Sequence, residues 1–170
     1  MGKIVYKDDW VTIEKERHKV RGKSVEFTKT VQPDVAVVVP ILDNGDVLLE
    51  RQYRHVINKF IYELPAGHIE KGEKPILAAR REFEEETGFK VKRIEFMFMD
   101  YASPGVTDRA FYYFHARVGE KSKRKPDSYE VIELAPMSIK RVDAMIRSNR
   151  IKDHKTIAGY LYYKNYVMKS

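Results

Sequence analysis

The chain has no cysteine, which excludes a disulfide framework, a thiolate nucleophile and a zinc–thiolate centre, and suits a reducing compartment. It also lacks a long apolar run. The longest unbroken stretch, Val35 to Val39, falls far short of the roughly 20 residues a membrane span requires. The N-terminal segment carries Lys3, Lys7, Asp8 and Asp9 but no apolar targeting core. A soluble cytoplasmic protein with no membrane partner is the expectation. Internal repeats and long linkers are missing too, so residues 1–170 read as one domain. Within it, about 1–33 form N-terminal strands and about 34–170 the core.

With 43% apolar and 12% aromatic residues the chain can bury an ordinary core, which excludes a disordered tail protein. The net charge of +7 attracts anions, and phosphorylated small molecules and nucleic acid are the two obvious classes. The densest basic run, Lys121-Ser122-Lys123-Arg124-Lys125, lies between Gly119 and Pro126 and reads as a solvated loop.

Trp10 to Glu14 and Ser24 to Val31 alternate like half-buried strands, whereas Val35 to Val39 reads as a strand buried on both faces. Asp43-Asn44-Gly45 then predicts a tight type I′ hairpin into Val47-Leu48-Leu49. Phe60 to Tyr62 is a further strand, stopped by Pro65 and Gly67. Pro75 suits a first helical turn and Gly88 a C-cap, which predicts a helix from about Pro75 to Thr87. Val91 to Met99, Ala110 to Val118 and Val131 to Leu134 are strand-like, and helices are expected from about Ser138 to Arg147 and His154 to Tyr166. The pattern is α+β: a mixed sheet between helices.

The segment Glu73 to Gly88 holds five glutamates, four of them at positions 82 and 84 to 86. They crowd the negative end of the helix, where carboxylates three and four residues apart also repel one another. A cation should compensate. Glu82, Glu85 and Glu86 share one face around small Ala78, while Ile76, Ala79 and Phe83 form the expected buried stripe and Glu84 is expected in solvent.

Gly67, Glu73 and Arg81-Glu82-Phe83-Glu84-Glu85-Glu86-Thr87-Gly88-Phe89, at these spacings, resemble the Nudix box. The resemblance implies a Nudix-type α/β/α sandwich with a mixed sheet plus N-terminal antiparallel strands. It also implies a metal-dependent hydrolase that cleaves a nucleoside diphosphate linked to another group. Magnesium, with manganese as a substitute, would be held by Glu82, Glu85 and Glu86 with the Ala66 carbonyl, oxygen donors being what hard cations prefer. Arg81 would orient the glutamates, and Glu73 would brace the loop.

Arg51-Gln52-Tyr53-Arg54, Glu63-Leu64-Pro65-Ala66-Gly67, Ser103-Pro104-Gly105 and Arg150 to Thr156 resemble the ADP-ribose pyrophosphatase group. That likeness implies a nucleotide-sugar substrate contacted by Arg54, Glu63, Ser103 and Gly105, giving AMP and a sugar phosphate. It also implies a homodimer with exchanged N-terminal strands, in which Tyr6, Trp10 or Phe27 stacks the base. Two departures stand out. Arg109 takes a position where many relatives have an acid that holds the terminal ribose. Asp127-Ser128-Tyr129-Glu130 keeps only the second of two glutamates, and serine cannot take a proton from water at neutral pH. Glu130 ranks first as metal ligand or general base, followed by Glu85 and Asp127. GDP-mannose, a dinucleotide or a nucleoside triphosphate are alternative substrates. A nucleic-acid-binding protein and an ADP-ribose sensor are alternatives of another class. Scattered basic residues argue against the first, and an intact glutamate set against the second.

Overall fold

The structure, a computed structural model, describes residues 2–9, 11–125 and 129–168. Three antiparallel strands open the chain: β1 (Lys3–Lys7), β2 (Thr12–Val20) and β3 (Lys23–Val31). Between β2 and β3, Arg21 and Gly22 both take positive φ, at 49° and 79°, which is the conformation of a type I′ turn. This small sheet meets the rest of the chain at its far end, where the Thr30 N–H donates to the Val106 carbonyl at 2.9 Å.

A larger mixed sheet follows, with strands β4 (Val35–Ile41), β5 (Val47–Arg54), β6 (Lys59–Glu63), β7 (Ala66–His68), β8 (Phe89–Tyr101), β9 (Ala110–Lys121) and β10 (Ile132–Met137). Its order is β10-β5-β4-β9-β8, with β6 paired to β5 and β7 to β4. Only β4 and β9 run parallel among the named pairs.

The all-valine-and-alanine start of β4 explains the layering, because successive side chains on a strand point to opposite faces. Val35, Val37, Val39 and Ile41 enter a core with Val142, Met145, Ile151 and Tyr160 of α2 (Ile139–Arg147), α3 (His154–Tyr162) and the loop between them. Ala36 and Val38 enter a second core with Ala78, Ala79 and Phe83 of α1 (Pro75–Thr87). The sheet thus lies between helices, as expected of an α/β/α sandwich. No helix among the described residues is long and apolar enough to cross a membrane.

Four local expectations differ. The Asp43-Asn44-Gly45 hairpin forms, but only Gly45 has positive φ (84°) and its N–H donates to the Leu42 carbonyl at 2.9 Å. That is a three-residue loop whose glycine closes the turn. Ile76 is exposed, as is its neighbour Leu77 in the first turn of α1. Glu84 is largely covered, since Lys90 pairs with it from β8. The helix after His154 ends at Tyr162 and continues as a π-helical turn over Tyr163–Val167.

Phe83 is fully buried between α1 and the sheet. Phe83→Ala should therefore lower the free energy of unfolding by about 3–5 kcal/mol in urea titrations. A loss below about 1 kcal/mol would show that α1 does not anchor this face.

Candidate active site

A cleft of about 460 Å³ opens beside the C-terminal half of α1, lined by Arg54, Glu63, Ala66, Gly67, Glu82, Glu86, Arg109 and Glu130 among others. Its position follows from one close approach. β7 pairs with β4 through Ala66 and Gly67, and a Cβ at Gly67 would overlap the Glu82 carboxylate. Glycine at this position lets the helix carboxylates press against the strand backbone.

The Ala66 N–H donates to Glu86 Oε2 at 3.1 Å, fixing that side chain under the cleft floor. Glu86 is 5% exposed. Burial, then the neighbouring charges of Glu50, Glu130 and Glu82, push its carboxyl well above the usual range. Glu82 is raised as well, by burial first, although the Arg81 guanidinium at 2.8 Å opposes the shift. Arg81 also donates to both Glu73 oxygens, at 3.1 and 2.9 Å, to Glu85 at 3.3 Å and to the His68 carbonyl at 3.0 Å. Glu73 in turn accepts from the Glu70 N–H at 3.0 Å. The expected orienting role of Arg81 and bracing role of Glu73 have these contacts as their basis.

The negative end of α1 meets a second cation. Arg124 Nε donates to the Glu86 carbonyl at 2.6 Å and its Nη2 to the Ile132 carbonyl at 3.2 Å. This part of the basic run is therefore packed against the helix end, where a guanidinium offsets the helix dipole, and is not simply a solvated loop. Gly88, the αL C-cap at φ 71°, makes room for it.

The opposite wall is built from Glu63. Arg54 grips its two oxygens at 2.6 and 2.7 Å, and Lys155 pairs with it from α3. Burial raises the Glu63 carboxyl, but Arg54 and Lys155 outweigh it and the net shift is downward. Asp153 caps α3 by accepting from the Thr156 N–H and hydroxyl at 2.9 and 2.6 Å, while the Leu64 N–H donates to Thr156 Oγ1 at 2.8 Å. The Asp153-His154-Lys155-Thr156 segment thus locks α3 to the strand end that carries Glu63.

Of the residues expected at the site, Arg54, Glu63, Ala66, Glu82, Glu86 and Glu130 line the cleft. Glu85 faces Arg81 and lines a separate depression with Lys123 and Lys125. Ser103 and Gly105 are not among the cleft-lining residues. The Ser103 carbonyl closes its own loop by accepting from Val106 and Thr107 at 3.0 Å, and Gly105 lines a separate depression with Phe27 of β3. Tyr6 and Phe27 are exposed on the N-terminal sheet. Trp10, Asp127 and Ser128 lie outside the described residues.

Glu50 escaped the sequence reading. It faces Glu63 across β5 and β6 and is 1% exposed, and its Oε1 has no hydrogen-bond partner. Two residues along the same strand face, Gln52 Nε2 donates to Glu130 Oε1 at 3.4 Å. A carboxylate in line with buried Leu48 was the available signal.

No three His, Asp or Glu side chains among the described residues already stand close enough to grip one ion. Even so, the donor set fits a hard divalent cation: all-oxygen, strongly anionic, with an orphaned buried oxygen on Glu50 and a glycine cradle against Glu82. Glu82, Glu86 and Glu130 would hold it.

Residues 32–158 match the NUDIX domain. The chain is 31% identical over 143 residues to the ADP-ribose pyrophosphatase of Bacillus subtilis (strain 168), an alignment covering 83% of this chain and 77% of that one. It is 32% identical over 132 residues to the methanol dehydrogenase activator of Bacillus methanolicus, covering 76% and 71% respectively. In three dimensions it superposes on the crystal structure of an ADP compounds hydrolase with a TM-score of 0.86, over 98% of this chain and 91% of that one. At 17% identity that likeness speaks for the fold alone. The chain belongs to the NUDIX family, as a hydrolase of its pyrophosphatase type.

Burial raises the Glu50 carboxyl from 4.5 to about 8, with Glu130 and Glu63 adding to the rise and Arg124 opposing it. The unfolded chain loses this proton near pH 4.3, whereas the folded chain keeps it until about pH 8. Stability therefore falls as pH rises through that window and is unaffected below it. In metal-free buffer, Glu50→Gln should unfold like the parent at pH 4 but be more stable at pH 8 by on the order of 5 kcal/mol. An equal difference at both pH values contradicts the buried-acid assignment.

Proposed function

We propose that this protein hydrolyses the diphosphate bond of ADP-ribose or a related nucleoside diphosphate sugar, giving AMP and a sugar phosphate, with magnesium or manganese as cofactor. The observation that carries this reading is the convergence of Glu82, Glu86 and Glu130 on one cleft, with buried Glu50 acting on Glu86 from behind it and Arg81 holding Glu82 in place. The similarity to an ADP-ribose pyrophosphatase over most of both chains supports the substrate class.

When bound, the metal supplies charge masking for the diphosphate and a more nucleophilic water. The chain's own groups do the rest. Arg81 spaces Glu82 from Glu85 and ties both to the Glu73 loop, so that the donor oxygens are set before substrate arrives. Glu86 is held by the Ala66 N–H. In this reading Glu130, which accepts from Gln52, takes the proton of the attacking water, the role left open by Ser128. Arg54 and Lys155 hold Glu63 between them, keeping a fixed carboxylate available to substrate hydroxyls, and Arg54 retains donors for a phosphate oxygen.

Ser103 and Gly105 enter this proposal through assembly. Their loop lies beside β3, and the N-terminal sheet exposes Ile4, Val5, Tyr6, Val25 and Phe27. A homodimer that covers this apolar surface with exchanged strands would bring aromatics such as Tyr6 and Phe27 to a neighbouring cleft.

Incubation with ADP-ribose and magnesium should yield AMP and ribose 5-phosphate in equal amounts, resolved by chromatography. Glu130→Gln should lower turnover by roughly two orders of magnitude or more with an unchanged thermal midpoint. Near-parental turnover in that variant would move proton transfer to another carboxylate.

A further inference from the structure

The cleft's cations are not equivalent. Arg54 spends two nitrogens on Glu63, and Lys155 pairs with both Glu63 and Asp153. Arg109 also lines the cleft but forms no ion pair with any described carboxylate. Its Nη1 donates to Gln32 Oε1 at 3.1 Å, its guanidinium lies 5.4 Å from the centre of the Phe111 ring, and its Nε is buried without a hydrogen-bond partner. Most of its donors are therefore uncommitted, in a setting where an unpaired charge is costly.

Arg109 is also separated from the carboxylate floor. Burial disfavours its charge and Asp34 is the acid that supports it, whereas beyond burial Glu82 responds to Arg81, Glu85 and Glu130, and Glu86 to Glu50, Glu130 and Glu82. Register gives the scale. Val35 pairs with His68 on β7 and with Phe111 on β9, so the strand carrying Ala66 and Gly67 lies two strand spacings, roughly 10 Å, from the strand Arg109 leads into. A diphosphate over Glu82 and Glu86 leaves Arg109 facing a different part of the substrate.

A guanidinium donates hydrogen bonds and accepts none, and its planar fork matches a phosphate or carboxylate better than a sugar hydroxyl. We propose that Arg109, with Gln32 and Phe111, forms an anion subsite that selects nucleoside diphosphate compounds bearing a further phosphate or carboxylate beyond the scissile diphosphate. This specificity rests on the diphosphatase function.

Two matched pairs test it: ADP-ribose against ADP-ribose 2′-phosphate, and UDP-glucose against UDP-glucuronate, which separate a phosphate source from a carboxylate one. Each is measured for kcat and KM with magnesium, and by calorimetry in metal-free buffer as a readout independent of cleavage. The parent protein should favour the anionic member of at least one pair by about tenfold or more, mainly through KM, the size expected of one charge-assisted contact. Arg109→Gln should bring that ratio to within about threefold of unity, Arg109→Lys should restore part of it, and Arg109→Glu should invert it. Cleavage of ADP-ribose with no preference in either pair overturns the subsite while leaving the diphosphatase reading intact, and so does a preference that survives in Arg109→Gln. A binding preference lost in Arg109→Gln without any cleavage supports the subsite and removes the diphosphatase reading.

Discussion

Several carboxylates share one small, poorly hydrated volume in this protein, and the architecture around them is what makes that tolerable. Glu50 and Glu86 are almost fully buried; burial and the neighbouring carboxylates raise the proton affinity of both, Glu86 with Glu50 among its neighbours and Glu50 with Glu130 and Glu63 among its own. Unpaired, such groups would favour an unfolded or protonated state. Arg81, on α1 itself, engages the carboxylates, and Arg124 engages the helix end. Their charges hold the cluster together without cancelling it, the setting on which the proposed divalent cation rests.

The sheet sets where that cluster can sit. β4, buried on both faces, carries β7 on one edge and β9 on the other, so His68 and Phe111 end up on either side of Val35, with Gly67 one residue further along β7. Gly67 admits Glu82 from the helix side, and the β9 edge presents Arg109 and Phe111. One cleft thus has an anionic floor toward α1 and a cationic, aromatic rim toward the Ser103 to Asp108 loop. A ligand with a metal-seeking diphosphate and an outlying anionic group matches this division of charge.

Much of this was legible in the sequence, for identifiable reasons. Pro75 and Gly88 bracket α1 because proline fits the first turn and glycine the αL cap. The run of small β-branched residues from Val35 announced a doubly buried strand, and the spacing of Gly67, Glu73 and Arg81 to Gly88 led to the glutamates that line the cleft. Long-range pairing was not legible. Arg124 looked like part of a solvated basic run, and only the fold shows it reaching the end of a helix 38 residues earlier in the chain. Glu50 was not singled out, because nothing local says that Glu86 and Glu130 lie beside it. Glu84 was misplaced because Lys90, on the following strand, covers it. The distance of Ser103 and Gly105 from the carboxylates likewise depends on how that loop docks against β3.

The account stands on the capacity of Glu82 and Glu86 to bind a hard cation together. Paramagnetic resonance of free manganese during titration of the protein measures that capacity without reference to catalysis. The parent chain should deplete the free-ion signal, and Glu82→Gln combined with Glu86→Gln should weaken that binding by at least about a hundredfold while the protein stays folded. Equal depletion of the signal by both proteins would contradict the central claim.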